Sequence, residues 1–337
     1  MRFGKVAVDE AEGAVLAHAV PVPGGKLKKG RVLSGADLAA LRAAGLADVI
    51  VARLDPCDVP EDAAAAKLAA ALVPDPAAAG LRLEAPFTGR VNIRATGAGV
   101  VALDVGAIAR LNDIDPMITL ATVPEWQRVE AGMMVGTVKI IAYAVPETAL
   151  AAACAVGAGA MRRQPPLLAS ADLIVTETAP GAAAEEDKGV RAVWARVARL
   201  GLAQGSTRIV PHEMGAVAQA IAGSTAEMVL ILTGSATSDI ADVVPAGLVA
   251  AGGAVIRFGM PVDPGNLLVL GRIGTRPVIG LPGCARSPAL NGADWVLERV
   301  ACGVAVTGAD IAAMGVGGLL KEIPTRPQPR ERRLTPP

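Results

Sequence analysis

The second half of the chain alternates between short apolar runs and longer stretches in which apolar residues recur once per helical turn. Short apolar runs bounded by turn residues are typical of buried strands, and the recurring pattern is typical of helices. The predicted strands are Leu173–Thr176, Thr207–Val210, Met228–Leu232, Ala254–Phe258, Leu267–Leu270 and Pro277–Leu281, and the predicted helices are Glu185–Leu200, Met214–Ala222, Asp239–Ala251 and Ala289–Val300. Alternating strands and helices with short connections predict an α/β fold with a doubly wound, mostly parallel sheet and helices on both faces.

The first half of the chain has a different pattern, which predicts a smaller α/β region followed by a β-rich one. Ser34 caps a predicted helix that ends at Gly45, and Pro60 opens an Ala-rich helix. Farther on, alternating runs separated by turn residues indicate strands, with a helix near Val105–Leu111. The predicted division is residues 1–80 as a small α/β unit, 81–165 as a β-rich module with a connecting helix, 166–321 as the doubly wound domain and 322–337 as a disordered tail.

The charge balance and the aromatic content of the chain argue against a nucleic-acid or membrane partner. The chain balances 32 basic residues against 32 acidic ones, so no net field attracts nucleic acid or an anionic membrane. Aromatic residues make up only 2% of the chain, which leaves few platforms for stacked bases. The apolar stretch between Glu147 and Met161 is too short for a membrane span, and acids lie near the N-terminus where a signal peptide needs an apolar core. We therefore expect a cytoplasmic protein with no nucleic-acid or membrane partner.

The most informative segment of the sequence lies where the apolar run Met228–Leu232 stops. Thr233-Gly234-Ser235 follows it, which predicts a tight turn between a strand and a helix. Such a junction presents backbone N–H groups and hydroxyls to an anion. Asp239 and Asp242 come next and would lie on one face of the predicted helix, where two carboxylates can hold Mg²⁺ beside a phosphate or act on a bound oxyanion. Asp239 could be only a helix N-cap, whereas Asp242 lies one turn inside the predicted helix.

Three further loops are predicted at the same sheet edge. One ends in Gly265-Asn266 and is either a Pro-Gly turn or a loop whose glycine lets a ligand approach the backbone closely. Another is the turn Gly280–Ser287, in which Arg286 and Ser287 could bind phosphate. The third carries His212, which is more typical of a loop or a cap than of a metal ligand. The predicted ligand-binding residues are Thr233, Gly234, Ser235, Ser238, Gly265, Asn266, Pro282, Gly283, Arg286 and Ser287, and the predicted catalytic and metal-binding residues are Asp239 and Asp242.

Taken in order, these loops resemble the molybdopterin-binding domain of molybdopterin molybdenumtransferases, gephyrin-like proteins and molybdopterin adenylyltransferases. The matching segments are Thr233–Ser235 for the family's T-G-G, Asp242–Pro245 for D-V-x-P, Gly252–Val255 for G-G-x-V, Gly265-Asn266 for the end of P-G-K, and Gly280–Ser287 for G-L-P-G-N-P-x-S. The resemblance covers roughly residues 170 to 303. More loosely, Glu10–His18 resembles an opening segment of the molybdenumtransferases.

The resemblance implies a pterin-phosphate ligand, either molybdopterin or adenylylated molybdopterin, with Mg²⁺ as cofactor and molybdate as substrate. It also implies a homo-oligomer. Three departures bear on catalysis, because Asn266 stands where the family has lysine, Cys284 where it has asparagine, and Ser235 where it has glycine. Two hypotheses remain open: an enzyme of molybdenum cofactor biosynthesis that inserts molybdate, and a binding protein that delivers the cofactor to a molybdoenzyme or a nucleotidyltransferase. A nucleotide pyrophosphatase is a third, weaker alternative.

Overall fold

The structure is a computed structural model that describes residues 1–263 and 265–320. The chain forms two compact units: residues 1–97 with 101–164 make the first, and residues 98–100 with the chain from Pro165 onward make the second. A further division of the first unit at residue 80 stays a prediction. The predicted disordered tail, residues 322–337, lies outside the described residues.

The first unit is built from short strands and four-turn or shorter helices. Its elements are, in chain order, β1 Arg2–Ala7, β2 Val15–Leu16, β3 Val20–Val22, β4 Gly25–Leu27, α1 Gly35–Ala43, β5 Asp48–Arg53, β6 Asp58–Pro60, α2 Glu61–Leu72, β7 Leu81–Leu83, β8 Arg90–Ala95, β9 Gly99–Leu103, α3 Val105–Ile114, β10 Ile118–Thr122, β11 Arg128–Val129, β12 Met134–Ile140, β13 Ala144–Pro146, α4 Glu147–Val156 and β14 Met161–Gln164. Over the described residues these strands pair in the orders β1-β5-β2, β3-β4, β10-β12-β8-β7, β11-β9-β14 and β13-β6.

The predicted cap of α1 is confirmed. Ser34 accepts from the backbone N–H of Asp37, and the Asp37 carboxylate accepts in return from the Ser34 N–H. Gly45 follows the helix with a φ of +78°, a conformation that glycine adopts without strain. Arg31 donates a hydrogen bond to Asp37 and, with the Ser34 backbone, lowers the pKa of that carboxyl to about 2. The start of α1 is therefore fixed by local polar groups as well as by its buried Leu38 and Leu41.

The apolar residues of the first unit form two clusters. One lies between α1 and the β1-β5-β2 sheet and includes Leu16, Leu41 and Val51. The other lies under α2, α3 and α4 against the four-stranded sheet of the described residues and includes Leu68 and Ile93. Helix α2, which the sequence analysis places in the small α/β unit, packs with the β-rich module instead, because its buried Ala and Leu face that second cluster.

The second unit is an α/β domain. Its elements are, in chain order, β15 Ser170–Glu177, α5 Lys188–Arg199, β16 Ala203–Pro211, α6 Met214–Ala222, β17 Met228–Leu232, α7 Val243–Ala250, β18 Ala254–Met260, β19 Asn266–Ile273, β20 Arg276–Leu281, the 3₁₀ turn Gly283–Arg286, α8 Gly292–Ala301 and α9 Gly308–Ala313. Within the described residues its strands form one sheet in the order β16-β15-β17-β20-β19-β18.

Pairing in this sheet is parallel from β16 through β15 and β17 to β20, and antiparallel from β20 through β19 to β18. The parallel strands are joined by helices, as parallel pairing requires, whereas a tight turn at Gly274 joins β19 to β20. The predicted mixed α/β fold with a mostly parallel sheet is confirmed. The antiparallel edge is a detail that the hydrophobic pattern alone does not specify.

Helices cover both faces of the sheet, as the sequence predicts. Leu230 packs with Val193 in the cluster under α5 and α8, and Ile231 packs with Val217 and Leu248 in the cluster under α6 and α7. Successive residues of β17 point to opposite faces, so this fully buried strand has apolar side chains at every position. Over the described part of the chain, no helix has both the length and the apolar character that crossing a membrane requires.

Helix α7 starts later than predicted. It begins at Val243 rather than at Asp239, because Asp242 is its N-cap residue with extended backbone angles. Asp239 and Asp242 therefore precede the helix and do not share one of its faces, which corrects the prediction from their spacing.

Truncation of Ile231 to Ala should destabilise the second unit by roughly 2–5 kcal/mol, because Ile231 is fully buried at the centre of the sheet and its loss leaves a cavity. The measurement is the free energy of unfolding in urea. Ile256→Ala is the matched control, since Ile256 is 41% exposed on the edge strand β18 and should lose less than about 1 kcal/mol. Equal losses in the two variants would contradict the described burial.

Candidate functional site

The loops that follow the parallel strands emerge at one edge of the sheet, which we call the carboxyl edge. Val175, Ile209, Leu232 and Leu281 lie opposite one another across β15, β16, β17 and β20. The loop between β18 and β19 reaches the same edge, because β19 runs antiparallel to β20. The four predicted loops therefore meet at the edge where ligands of such sheets bind.

A hydrogen-bonded cluster links the ends of the first three strands. The Gly234 N–H donates to Thr176 Oγ1 at 2.9 Å, and that oxygen lies 2.8 Å from His212 Nδ1. Thr176 is fully buried. A Cβ added at Gly234 would lie 2.6 Å from the Thr176 carbonyl oxygen, so the close approach of these two loops requires glycine. The sequence analysis does not count His212 or Thr176 among the site residues, although their position directly at strand ends is the signal that could have identified them.

The segment Ser235–Thr237 presents backbone N–H groups in succession. Gly234 and Ser238 on either side donate to Thr176 and to Asp242, respectively. Over the described chain the amides of Ser235, Ala236 and Thr237 donate to no protein group. Ser235 and Ala236 are exposed. These N–H groups, in a loop at the carboxyl edge, are available to donate to a bound anion.

Arg286 brings a positive charge to the same place. Its Nη2 donates to the carbonyl oxygen of Thr233 at 2.7 Å, which ties the 3₁₀ turn to the loop after β17. Its stem packs close to Gly189 at the start of α5. Thr233 is 7% exposed and Arg286 is half-buried, so the guanidinium is held in place at the loop. A guanidinium held at this loop by the Thr233 carbonyl oxygen is suited to bind phosphate.

The Asp242 carboxylate is used by the backbone. Its Oδ2 accepts from the Ser238 N–H at 2.8 Å and its Oδ1 from the Val243 N–H at 2.7 Å. These two bonds lower the pKa of Asp242, burial opposes them, and the nearby His212 adds a smaller lowering effect. Asp239 is exposed and accepts from the Ala241 N–H at 2.7 Å in a local turn. The prediction that Asp242 is not a capping residue is wrong, because the helix begins directly after it.

The donors present do not fit a resident divalent cation in this conformation. Both oxygens of Asp242 already hold backbone amides, and among the described residues no group of three or more His, Cys, Asp or Glu side chains is placed to bind a metal. We therefore derive no chemical step through Mg²⁺. Its entry together with a phosphate ligand stays a prediction.

Arg196 of α5, which is 5% exposed, forms hydrogen bonds to the turn from Pro282 to Ser287. Arg196 pairs with the buried Asp294 and donates to the carbonyl oxygens of Ala285 at 3.0 Å and Ser287 at 2.8 Å. Its remaining two N–H groups donate to the carbonyl oxygens of Ala192 and Ala289. All five donors of the guanidinium are thus used. The predicted helix from Ala289 begins instead at Gly292, after this turn and an Asn291 cap.

The remaining predicted residues lie in the β18–β19 loop and around the two turns. Gly265 is exposed with a φ of +92°, and Asn266 is buried at the first position of β19. Gly283 is exposed, and Pro282 before it is buried. The Ser238 hydroxyl donates to the Ala236 carbonyl oxygen at 3.3 Å. The structure therefore places every predicted residue at the carboxyl edge.

Comparison with known proteins finds only weak similarity. A protein-family model described as a domain of unknown function (DUF8806) matches residues 5–53. No curated protein matches the chain.

Solved structures that match include the molybdopterin biosynthesis MoeA protein of Pyrococcus horikosii, with 15% identity and a TM-score of 0.32, over 89% of this chain and 75% of that one. They also include a molybdenum cofactor biosynthesis protein B, with 15% identity and a TM-score of 0.28, over 41% of this chain and 95% of that one. At these TM-scores neither likeness carries an argument, so the fold described above rests on the chain's own strand order and register.

Replacing Arg196 by Met should lower the free energy of unfolding by roughly 3–5 kcal/mol, because it leaves the Asp294 charge and several carbonyl oxygens buried without donors. Arg199→Met is the matched control, since Arg199 is exposed on the same helix. Chemical denaturation followed by circular dichroism measures both. A loss in Arg196→Met no larger than in the control would show that the buried pair does not hold this turn.

Asp242→Ala should destabilise the second unit by roughly 0.5–2 kcal/mol, the usual effect of removing a helix N-cap. The folded-state pKa of Asp242 is lowered, so its contribution is complete above about pH 4 and is lost as the pH falls and the carboxylate is protonated. Stability measured from pH 7 to pH 3 should therefore fall less steeply in Asp242→Ala than in the wild type. Parallel pH profiles would contradict this role of the carboxylate.

Proposed function

We propose that this chain binds a phosphorylated pterin of the molybdopterin type at the carboxyl edge and takes part in molybdenum cofactor biosynthesis. The observation that carries the proposal is that the amides of Ser235–Thr237 donate to no described group, in the loop whose Thr233 carbonyl oxygen holds the Arg286 guanidinium. We call these amides and Arg286 the anion site. The series of segments that resembles the molybdopterin-binding domain supplies the chemical class of the ligand. Its loops all lie at the edge that contains this anion site.

The ligand's phosphate would be bound by the amides of the loop after β17 and by Arg286. Gly234 permits the close approach of backbone that shapes this loop. Thr233 takes part through its carbonyl oxygen, which fixes Arg286. Ser287 takes part through its carbonyl oxygen, which accepts from Arg196 and holds the turn. These contacts bind and orient a phosphate and require no proton transfer.

The same geometry favours the binding protein over the molybdate-inserting enzyme. The Asp242 carboxylate has a structural role as the cap of α7, since each of its oxygens accepts a backbone hydrogen bond. Asn266 and Asp263 supply no positive charge to the β18–β19 loop. We infer that the chain holds the pterin for a molybdoenzyme or a nucleotidyltransferase, and that it does so as a homo-oligomer.

The chain should retain a pterin when it is purified without oxygen from a host that makes molybdopterin, and mass spectrometry of the denatured protein should detect it. Arg286→Gln should lower the pterin content because it removes a charge-assisted hydrogen bond of about 1.5–3 kcal/mol, equivalent to a loss of affinity of about tenfold or more. Arg272→Gln is the matched control, since Arg272 also donates to a carbonyl oxygen but lies at the far end of β19.

Absence of a pterin from the wild-type protein, or equal content in the two arginine variants, would contradict the proposal. The inserting enzyme is tested separately by adding molybdate to the pterin-loaded protein. If the wild type forms molybdenum-containing cofactor and a folded, pterin-loaded Asp242→Ala variant does not, the chain is an inserting enzyme and not a binding protein.

A further inference from the structure

Asn266 is a buried polar side chain with no hydrogen-bond partner in the described part of the chain. It is 4% exposed, and neither its carboxamide oxygen nor its nitrogen is bonded. Buried amide groups are normally satisfied, because a group that leaves water without gaining a partner destabilises the fold. Leucine has a similar size and would carry no such penalty at this position. The unsatisfied amide is explained if its partner is a ligand.

The position of Asn266 fits that explanation. It is the first residue of β19, and β19 contacts the Gly283–Arg286 turn at the carboxyl edge. Gly265, directly before it, and Gly283 of that turn have no side chain, and a Cβ added at either would meet no described atom within 4 Å. Asn266 therefore lies at the same edge as the anion site and in a different loop, directly after the exposed Gly265.

We propose that Asn266 recognises the ring of the ligand by pairing its carboxamide with a ring edge that places an N–H group beside a C=O group. This inference rests on the proposed function, in which the amides of Ser235–Thr237 and Arg286 take the phosphate. A carboxamide has an acceptor and donors in one plane, so it forms two parallel hydrogen bonds with such a lactam edge. Pterins and guanine share this edge, and adenine has no C=O group.

The test compares wild-type protein with Asn266→Leu, using two probes in calorimetry. One probe is 6-hydroxymethylpterin, which has the ring and no phosphate, and the other is pyrophosphate, which has no ring. Asn266→Leu should lower the pterin affinity about tenfold or more and leave the pyrophosphate affinity within about twofold. Its melting temperature should be unchanged or higher, because the substitution removes no hydrogen bond within the protein.

Asn112→Leu is the matched control. The Asn112 carboxamide donates to the Leu120 carbonyl oxygen at 2.9 Å and accepts from the Leu120 N–H at 2.8 Å. Its replacement leaves those backbone groups without partners, so the melting temperature should fall while the pterin affinity stays unchanged. Asn266→Leu should thus lower the pterin affinity without lowering stability, and Asn112→Leu should lower stability without lowering the pterin affinity.

Unchanged pterin affinity in Asn266→Leu would overturn the role of Asn266 and leave the proposed function standing. Equal loss of pterin and pyrophosphate affinity would overturn it too, because the substitution would then have disturbed the whole edge. Binding of guanosine but not of the pterin by the wild type, lost in Asn266→Leu, would support ring recognition by Asn266 and contradict the pterin function. Binding of adenosine as tightly as of the pterin would overturn recognition of a lactam edge.

Discussion

The carboxyl edge of the second unit depends on one buried ion pair, between Arg196 of α5 and Asp294 of α8. The turn from Pro282 to Ser287 is neither strand nor α-helix, so most of its carbonyl oxygens have no partner within regular structure. The planar guanidinium of Arg196 donates hydrogen bonds to the carbonyl oxygens of Ala285 and Ser287. An apolar residue in its place would leave these oxygens buried and unpaired, and lysine would have too few donors in the wrong geometry. The position of Arg286, and with it the anion site, follows from this pair.

Elements with a strong local signal could be predicted from the sequence. The run Met228–Leu232 and the helix Met214–Ala222 have the bounds that their apolar patterns predict, since burial in this sheet and on this face agrees with local propensity. The start of α7 could not be predicted from spacing, because Asp239 and Asp242 both have the character of N-caps. What decides between them is whether the Ser238 and Val243 amides reach the Asp242 carboxylate, which is a property of the folded loop.

The site was predictable as a set of loops and not as a set of contacts. The α/β alternation predicts mostly parallel strands, and the parallel pairing of β17 with β20 brings the segments after Leu232 and Leu281 to one edge. The bond between Gly234 and Thr176, and the contact of Thr176 with His212, join residues distant in sequence. No local pattern encodes such a bond. From the sequence alone, Arg196 is one of several charged residues on an amphipathic helix. Its role depends on the carbonyl oxygens of the Pro282–Ser287 turn, which only the folded structure brings to it.

The two ends of the sheet differ in how their polar groups are satisfied, and that difference supports the proposed position of the ligand. At the amino end, the buried carboxylate of Asp172 accepts hydrogen bonds from Ser206, Ser224, Thr225 and Ala226. Burial alone would raise the pKa of Asp172, yet these donors outweigh it and hold that pKa well below the ordinary range. The fold therefore satisfies this buried polar group completely at the amino end.

At the carboxyl end the same sheet leaves the Asn266 carboxamide and the amides of Ser235–Thr237 without partners among the described residues. The Asn266 carboxamide is buried, whereas the amides of Ser235 and Ala236 belong to exposed residues, so the two loops offer a buried and an open set of polar groups at one edge. The exposed amides of Ser235 and Ala236 are open to an acceptor, and the buried Asn266 carboxamide lacks a donor–acceptor pair. A ligand with a phosphate at one end and a planar amide edge at the other meets both requirements at once.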